Sequence, residues 1–159
     1  MTKLQSAQRR NYTAKAIFGL LLAIVVVGTF ATAGSAENTG TPRSGALHVT
    51  KECSEYHGQA AEFCTITSSN LNLIEAGTKV IYTSGAGAAG LDSDLVLDGA
   101  GNNDAYGHVT LSFKTQTGVV TFTGGTGWFS GFHARVAVSY NRHDQLWHWD
   151  GTYSLTPPN

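Results

Sequence analysis

At 159 residues the chain is long enough for one domain. Ten Lys and Arg stand against eleven Asp and Glu, but Lys3, Arg9, Arg10 and Lys15 all belong to the amino-terminal lead. Without those four, six cations face eleven anions, a net charge near −5, and the six do not cluster. A nucleic-acid partner, which needs a basic face, is excluded on that ground.

The basic lead is followed by an apolar run, Ala16 to Phe30 (AIFGLLLAIVVVGTF), and then by ATAGSA. Charge, apolar stretch and small residues in that order predict a secretory signal peptide over residues 1–36, cleaved after Ala36 or Ala33. The apolar run approaches spanning length, so retention as an anchor is the alternative, and a membrane partner follows only from that alternative. In both cases the remainder is exported, to the periplasm or the exterior. Glu37 to Gly45 (ENTGTPRSG) reads as a mobile tail, residues 37–45. The folded domain then spans residues 46–159, large enough to bury roughly two-thirds of its unfolded surface.

Cys53 and Cys64, in KECSEYHGQAAEFC, are the two cysteines. In an exported chain such a pair predicts a disulfide. The rival, half a zinc site with His57, lacks the close Cys spacing and the two further ligands that zinc takes.

From here the period is two, with no helical periodicity of useful length. A first strand begins near Ala46 (ALHVT), and FCTITSSNL alternates from Phe63 to Leu71. TKVIYT (Thr78–Thr83) follows, then a loop SGAGAAG (Ser84–Gly90) and LDSDLVL (Leu91–Leu97). DGAGNNDAYG reads as a turn region, and HVTLSFK (His108–Lys114), TGVVTFT (Thr117–Thr123), FHARVAVSY (Phe132–Tyr140) and LWHWDGTYSL (Leu146–Leu155) complete the set. Short strands at regular spacing imply a sandwich or a barrel. Bulk on both faces of several strands, as at Val119–Val120, favours an all-β, eight-stranded antiparallel barrel, whose interior holds side chains or one small ligand.

Between the sixth and seventh of these strands, TGVVTFT and FHARVAVSY, lies GGTGWFSG. Gly124, Gly125 and Gly127 supply the φ freedom of a tight turn and a bulge, Thr126 holds the turn through its hydroxyl, and Phe129 plugs the bend before Gly131 returns the chain to a strand. A phosphate loop is not implied, because neither Lys-Ser/Thr nor a helix follows. This structural turn also carries a resemblance. GGTGWFSGFHARV resembles the G-G-[ST]-G-x-F-x-G motif of the allene oxide cyclase barrel, shared in looser form with dirigent proteins. DAYGHVTL is similar to the D-Y-G-H strand of that family, TKVIYTSG to its N-K-L-Y-x-G stretch, and AAGLDSDLVL to its T-A-G-[IL]-C strand, so the similarity covers Leu73 to Tyr140. It implies an eight-stranded antiparallel barrel with an apolar lumen, assembled as a homotrimer. Thr78 stands where the plant cyclases have asparagine, Asp92 where they have cysteine, and their early glutamate falls near Thr67. The resemblance therefore implies a cyclase-like barrel whose activity is not the plant one.

Asp92 and Asp94 share one face of their strand, opposite Ser93, Leu95 and Leu97. If that face lines the lumen, two carboxylates sit about 7 Å apart in a partly apolar space, where one becomes a general acid beside a carboxylate. If it faces outward, both are solvated. Asp98, Asn102, Asn103 and Asp104 are a weaker, calcium-like set without EF-hand spacing. His108, His133 and His148 show no ligand pairing, so no metal and no cofactor is expected. Trp147, Trp149 and Tyr153 alternate on one face of the last strand, with His148, Asp150 and Thr152 opposite. They form either core or an aromatic wall for a flat ligand. Arg135 either pairs with Asp92 or Asp94 across the lumen or decorates the exterior.

Two functions follow. In the first, an exported cyclase-like barrel steers cyclisation or isomerisation of a small apolar unsaturated molecule, with Asp92 and Asp94 catalytic and Tyr82, His108, Arg135, Trp147 and Trp149 binding the substrate. In the second, a non-catalytic barrel binds an apolar ligand or serves as a secreted structural or interaction protein.

Overall fold

The computed structural model describes residues 43–156, so the predicted leader and most of the predicted tail lie outside the described residues. Eight strands follow in chain order: β1 Arg43–Glu52, β2 Phe63–Ser69, β3 Lys79–Tyr82, β4 Gly90–Asp98, β5 Asp104–Ser112, β6 Thr117–Gly125, β7 Phe132–Asn141 and β8 Leu146–Leu155, with a 3₁₀ turn Gly127–Phe129 before β7. Each pairs antiparallel with the next, and β8 pairs back onto β1, closing the barrel.

Several boundaries differ from the sequence expectation: β1 runs on to Glu52 past Thr50, while β2 and β5 stop at Ser69 and Ser112 short of Leu71 and Lys114. The tail ends sooner than Gly45, because Arg43, Ser44 and Gly45 already pair with Leu155, Ser154 and Tyr153. The turn after β4 is also shorter than DGAGNNDAYG. Asp104 faces Asp98 across the hairpin and Ala105 faces Leu97, which makes DAYG strand. Gly107 leaves an inward position without a side chain there, and that gap hides the alternation from the sequence.

Closure turns period two into an inside and an outside. Leu47 and Val49, Cys64 and Ile66, Val80 and Tyr82, Leu91 to Leu97 at alternate positions, Val120 and Phe122, and Phe132 to Val138 at alternate positions are all buried. The lumen is therefore filled by side chains, as eight strands allow. Its aromatic part runs from Trp149 through Phe122 and Phe132 to Phe129, with centroid separations of 5.8, 5.6 and 5.3 Å and edge or tilted geometry that suits the ring quadrupoles.

The glycine-rich turn closes one end. Thr126 Oγ1 donates to the Asn102 carbonyl and accepts the Asp104 amide, as its position in the turn predicts. Phe129 is 1 % exposed and plugs the barrel mouth. Gly131 takes φ +70°, and a Cβ there would collide with the Thr156 backbone oxygen, so both conformation and space require glycine. The Cys53–Cys64 disulfide staples the opposite end, joining the close of β1 to the start of β2. A disulfide fits an oxidising compartment.

Candidate functional site

Asp92 and Asp94 do not line the lumen. Their side chains are 76 % and 77 % exposed on the outer face of β4, while Leu91, Ser93, Leu95 and Leu97 fill the inner one. His108, opposite Asp94 on β5, is also outside and bridges the pair. Its Nδ1 lies 2.9 Å from Asp94 Oδ1 and its Nε2 3.0 Å from Asp92 Oδ1. Both nitrogens are donors only in the imidazolium. The hydrogen bond to Asp94, with the charge of Asp92 behind it, accordingly lifts the His108 pKa above its ordinary value. The geometry is a solvated ion cluster, and the expectation of a lumen acid pair at these aspartates is corrected.

Arg135 is exterior too, with Nη1 3.4 Å from Thr121 Oγ1, so no arginine–aspartate pair crosses the lumen. His148 is bound to Asp144 at 2.8 Å, and Asn103 spends its side chain on the turn, donating to Ala100 O and accepting the Trp128 amide. Among the described residues no three His, Cys, Asp or Glu side chains converge as a metal site.

The inward members of the predicted set, Tyr82, Trp147 and Trp149, do come together, and around a residue the strand pattern had left unread. Lys51 follows Leu47 and Val49 at two-residue steps on the inner face of β1, so its side chain enters the lumen and is only 4 % exposed. Its Nζ donates to Tyr82 Oη at 2.5 Å. It also lies 5.3, 5.9 and 5.4 Å from the ring centroids of Tyr82, Trp147 and Trp149, within range of a cation–π attraction. The disulfide forms the rest of the wall: Lys51 Nζ is 3.6 Å from Cys53 Sγ, and Tyr82 Oη donates to Cys64 Sγ at 3.5 Å. Tyr56 packs its ring 4.8 Å from that of Tyr82. The signal for Lys51 is legible as a cation in phase with an apolar strand face, in ALHVTK; it is lost when the strand is ended at Thr50.

Among the described residues no ion pair involves Lys51. Burial without a counter-charge disfavours the ammonium and brings the Lys51 pKa down to about 7. Burial acts oppositely on Tyr82, whose phenol is pushed well up and stays protonated, with Tyr56 adding to the effect. Near neutral pH a free amine and a phenol hydroxyl thus share one apolar site, a base beside an acid.

Two buried side-chain polar atoms among the described residues have no hydrogen-bond partner, Tyr56 Oη and Trp149 Nε1. Both belong to the rings gathered at this site. On the same barrel rim, a cleft of about 700 Å³ opens between the Ser84–Gly90 loop and β4–β5, lined by Gly85, Ala88, Leu91 and Leu111. No family model, no curated protein and no solved structure matches the chain.

Proposed function

We propose that the chain is an exported, allene oxide cyclase-like barrel that takes a small apolar molecule bearing an oxygen function at the Lys51 end, and steers its isomerisation or cyclisation through Lys51 and Tyr82. The observation that carries this reading is the lysine itself. A buried, unpaired cation costs stability that an apolar side chain of similar length would not, and perturbed groups of this kind gather at functional sites. The unsatisfied Tyr56 Oη and Trp149 Nε1 supply donors for a ligand oxygen. Cys53, Tyr56 and Trp147 are the half-buried members of the cluster, so a ligand approaches Lys51 from their side. Tyr82 presents a proton and Lys51 accepts one, the acid and base roles for which the sequence offers Asp92 and Asp94. Export rests on the leader pattern and on the disulfide, and a homotrimer rests on the resemblance alone.

The test is ligand capture. The oxidised protein is incubated with the apolar extract of its source, re-isolated and analysed by mass spectrometry beside Lys51→Met and Tyr82→Phe. The reading expects an oxygenated compound held or converted by the unmodified protein and lost from both variants. Equal retention by all three would place the ligand elsewhere. A non-catalytic interaction protein is the second reading. It is favoured by Trp128, 63 % exposed on a turn whose backbone Asn103 pins.

A further inference from the structure

We infer that Lys51 is a nucleophile that forms a Schiff base with an aldehyde or ketone, making a hydrophobic carbonyl compound the ligand class of this site. The inference rests on the reading that this end of the barrel admits a small apolar molecule, and goes beyond it in naming a covalent step.

The geometry separates this from simple proton transfer. A lysine that only held an anionic oxygen would need its charge, which the ring faces of Tyr82, Trp147 and Trp149 favour only weakly against the burial that removes it. No carboxylate pairs with Lys51 among the described residues, and its polar neighbours are a phenol and the disulfide sulfur of Cys53. Burial beside rings instead favours the neutral amine with its lone pair free, the condition for carbonyl addition. The groups that face Nζ are Tyr82 from β3, Trp147 and Trp149 from β8, and Cys53 of the disulfide that also involves Cys64 of β2. Tyr82 is the one titratable group among them, and it is neutral at pH 7.

The step balances on residues present. The Nζ lone pair attacks the carbonyl carbon as the carbon–oxygen π bond opens, and Tyr82 Oη, 2.5 Å from Nζ, protonates the new alkoxide. The phenolate takes a proton back from the nitrogen of the carbinolamine. Tyr82 Oη then protonates the hydroxyl, which leaves as water while the nitrogen lone pair forms the carbon–nitrogen double bond, and the phenolate takes the nitrogen's remaining proton. An amine and a carbonyl become an imine and water, with no oxidant or reductant. The Tyr56 Oη and Trp149 Nε1 donors give the departing oxygen partners that it lacks elsewhere in the lumen.

The experiment uses 2-naphthaldehyde, a flat carbonyl compound without a conjugate-addition site, and 2-naphthylmethanol as its counterpart without a carbonyl. The protein, with its disulfide intact, is titrated with each by calorimetry, then held with the aldehyde and cyanoborohydride at pH 7 and peptide-mapped by mass spectrometry. The expected result is a reduced adduct on Lys51 at least tenfold above that on Lys79 or Lys114, slowed at least tenfold in Tyr82→Phe. Both compounds binding with no Lys51 adduct would overturn the Schiff base and leave the binding site standing. Adducts spread evenly over the lysines would also overturn it, as surface chemistry. If neither compound binds, the site reading and the inference fall together.

Discussion

Replacing Lys51 by methionine keeps the length of the side chain and removes its charge, and the pH dependence of the effect isolates the buried amine. Burial holds Lys51 at about 7 in the folded barrel, against 10.5 for the free side chain. Between those values the unfolded chain holds a proton that the barrel does not, so stability rises with pH across that window, by about 1.4 kcal/mol per unit. Below pH 7 both states are protonated and the penalty is fully present; above 10.5 it has gone. At pH 7 the cost is about 4 kcal/mol, and by pH 9 about 2 kcal/mol of it has been recovered. Methionine forgoes the hydrogen bond to Tyr82, worth about 1 kcal/mol, while Tyr82 keeps its contact with Cys64. Lys51→Met is therefore expected to be more stable than the parent by about 3 kcal/mol at pH 7 and by about 1 kcal/mol at pH 9. Urea unfolding followed by tryptophan fluorescence at pH 6, 7, 8 and 9 measures that gap. The raised His108 pKa acts with the opposite sign, giving stability below its unfolded pKa that is lost as pH rises through the folded one. It is common to both proteins and cancels in the difference. A gap that stays constant from pH 7 to 9 would refute the argument, because Lys51 would then titrate alike in both states.

The outer cluster gives a second prediction. Asp92→Asn with Asp94→Asn should lower the His108 pKa toward its ordinary value in an NMR titration, while moving stability by less than about 1 kcal/mol, as exposed ion pairs do. Ligand capture at the Lys51 end should be unchanged. At the plugged end, Gly131→Ala combines a left-handed φ with a backbone collision and is expected to cost more than about 2 kcal/mol in urea. Gly77→Ala, at φ +92° with nothing within 4 Å of the new Cβ, should cost only about 1 kcal/mol; equal costs would show that the Thr156 contact is relieved cheaply. Cys53→Ser with Cys64→Ser opens an 11-residue separation and should cost about 3 kcal/mol, seen as a lower unfolding midpoint.

The barrel was legible because its parts are local. Turn residues punctuate eight alternating runs, and the glycine turn names its own geometry: Thr126 bonds the chain crossing and Phe129 plugs the end, both as their positions suggest. The inside of β4 was less legible. In LDSDLVL the sequence offers one apolar face and one acidic face, and a ligand-binding lumen is a reason to turn the acidic one inward. The choice is made by neighbours distant in sequence. Asp94 meets His108 and Asp92 meets Thr110 on the outside, while Leu95 and Leu97 complete a lumen already crowded by Val80, Phe122 and Trp149. Packing at interior density leaves no room there for two solvated carboxylates.

That same crowding makes Lys51 the position to explain. The buried polar or charged residues among those described are Lys51, Thr78 and Ser93, and Ser93 is satisfied, accepting the Ser84 amide and donating to the Asp94 carbonyl. Lys51 alone among them carries a titratable group, and it does so at the end of the barrel that a disulfide holds shut. The covalent link contributes about 3 kcal/mol by the chain-entropy account, close to what the buried amine costs at neutral pH. The two ends of the barrel thus divide the work. Phe129 and the aromatic column hold one by packing, whereas the other needs a covalent staple because it keeps a polar group that packing disfavours. Lys51→Met should therefore offset, at pH 7, most of the stability that Cys53→Ser with Cys64→Ser removes.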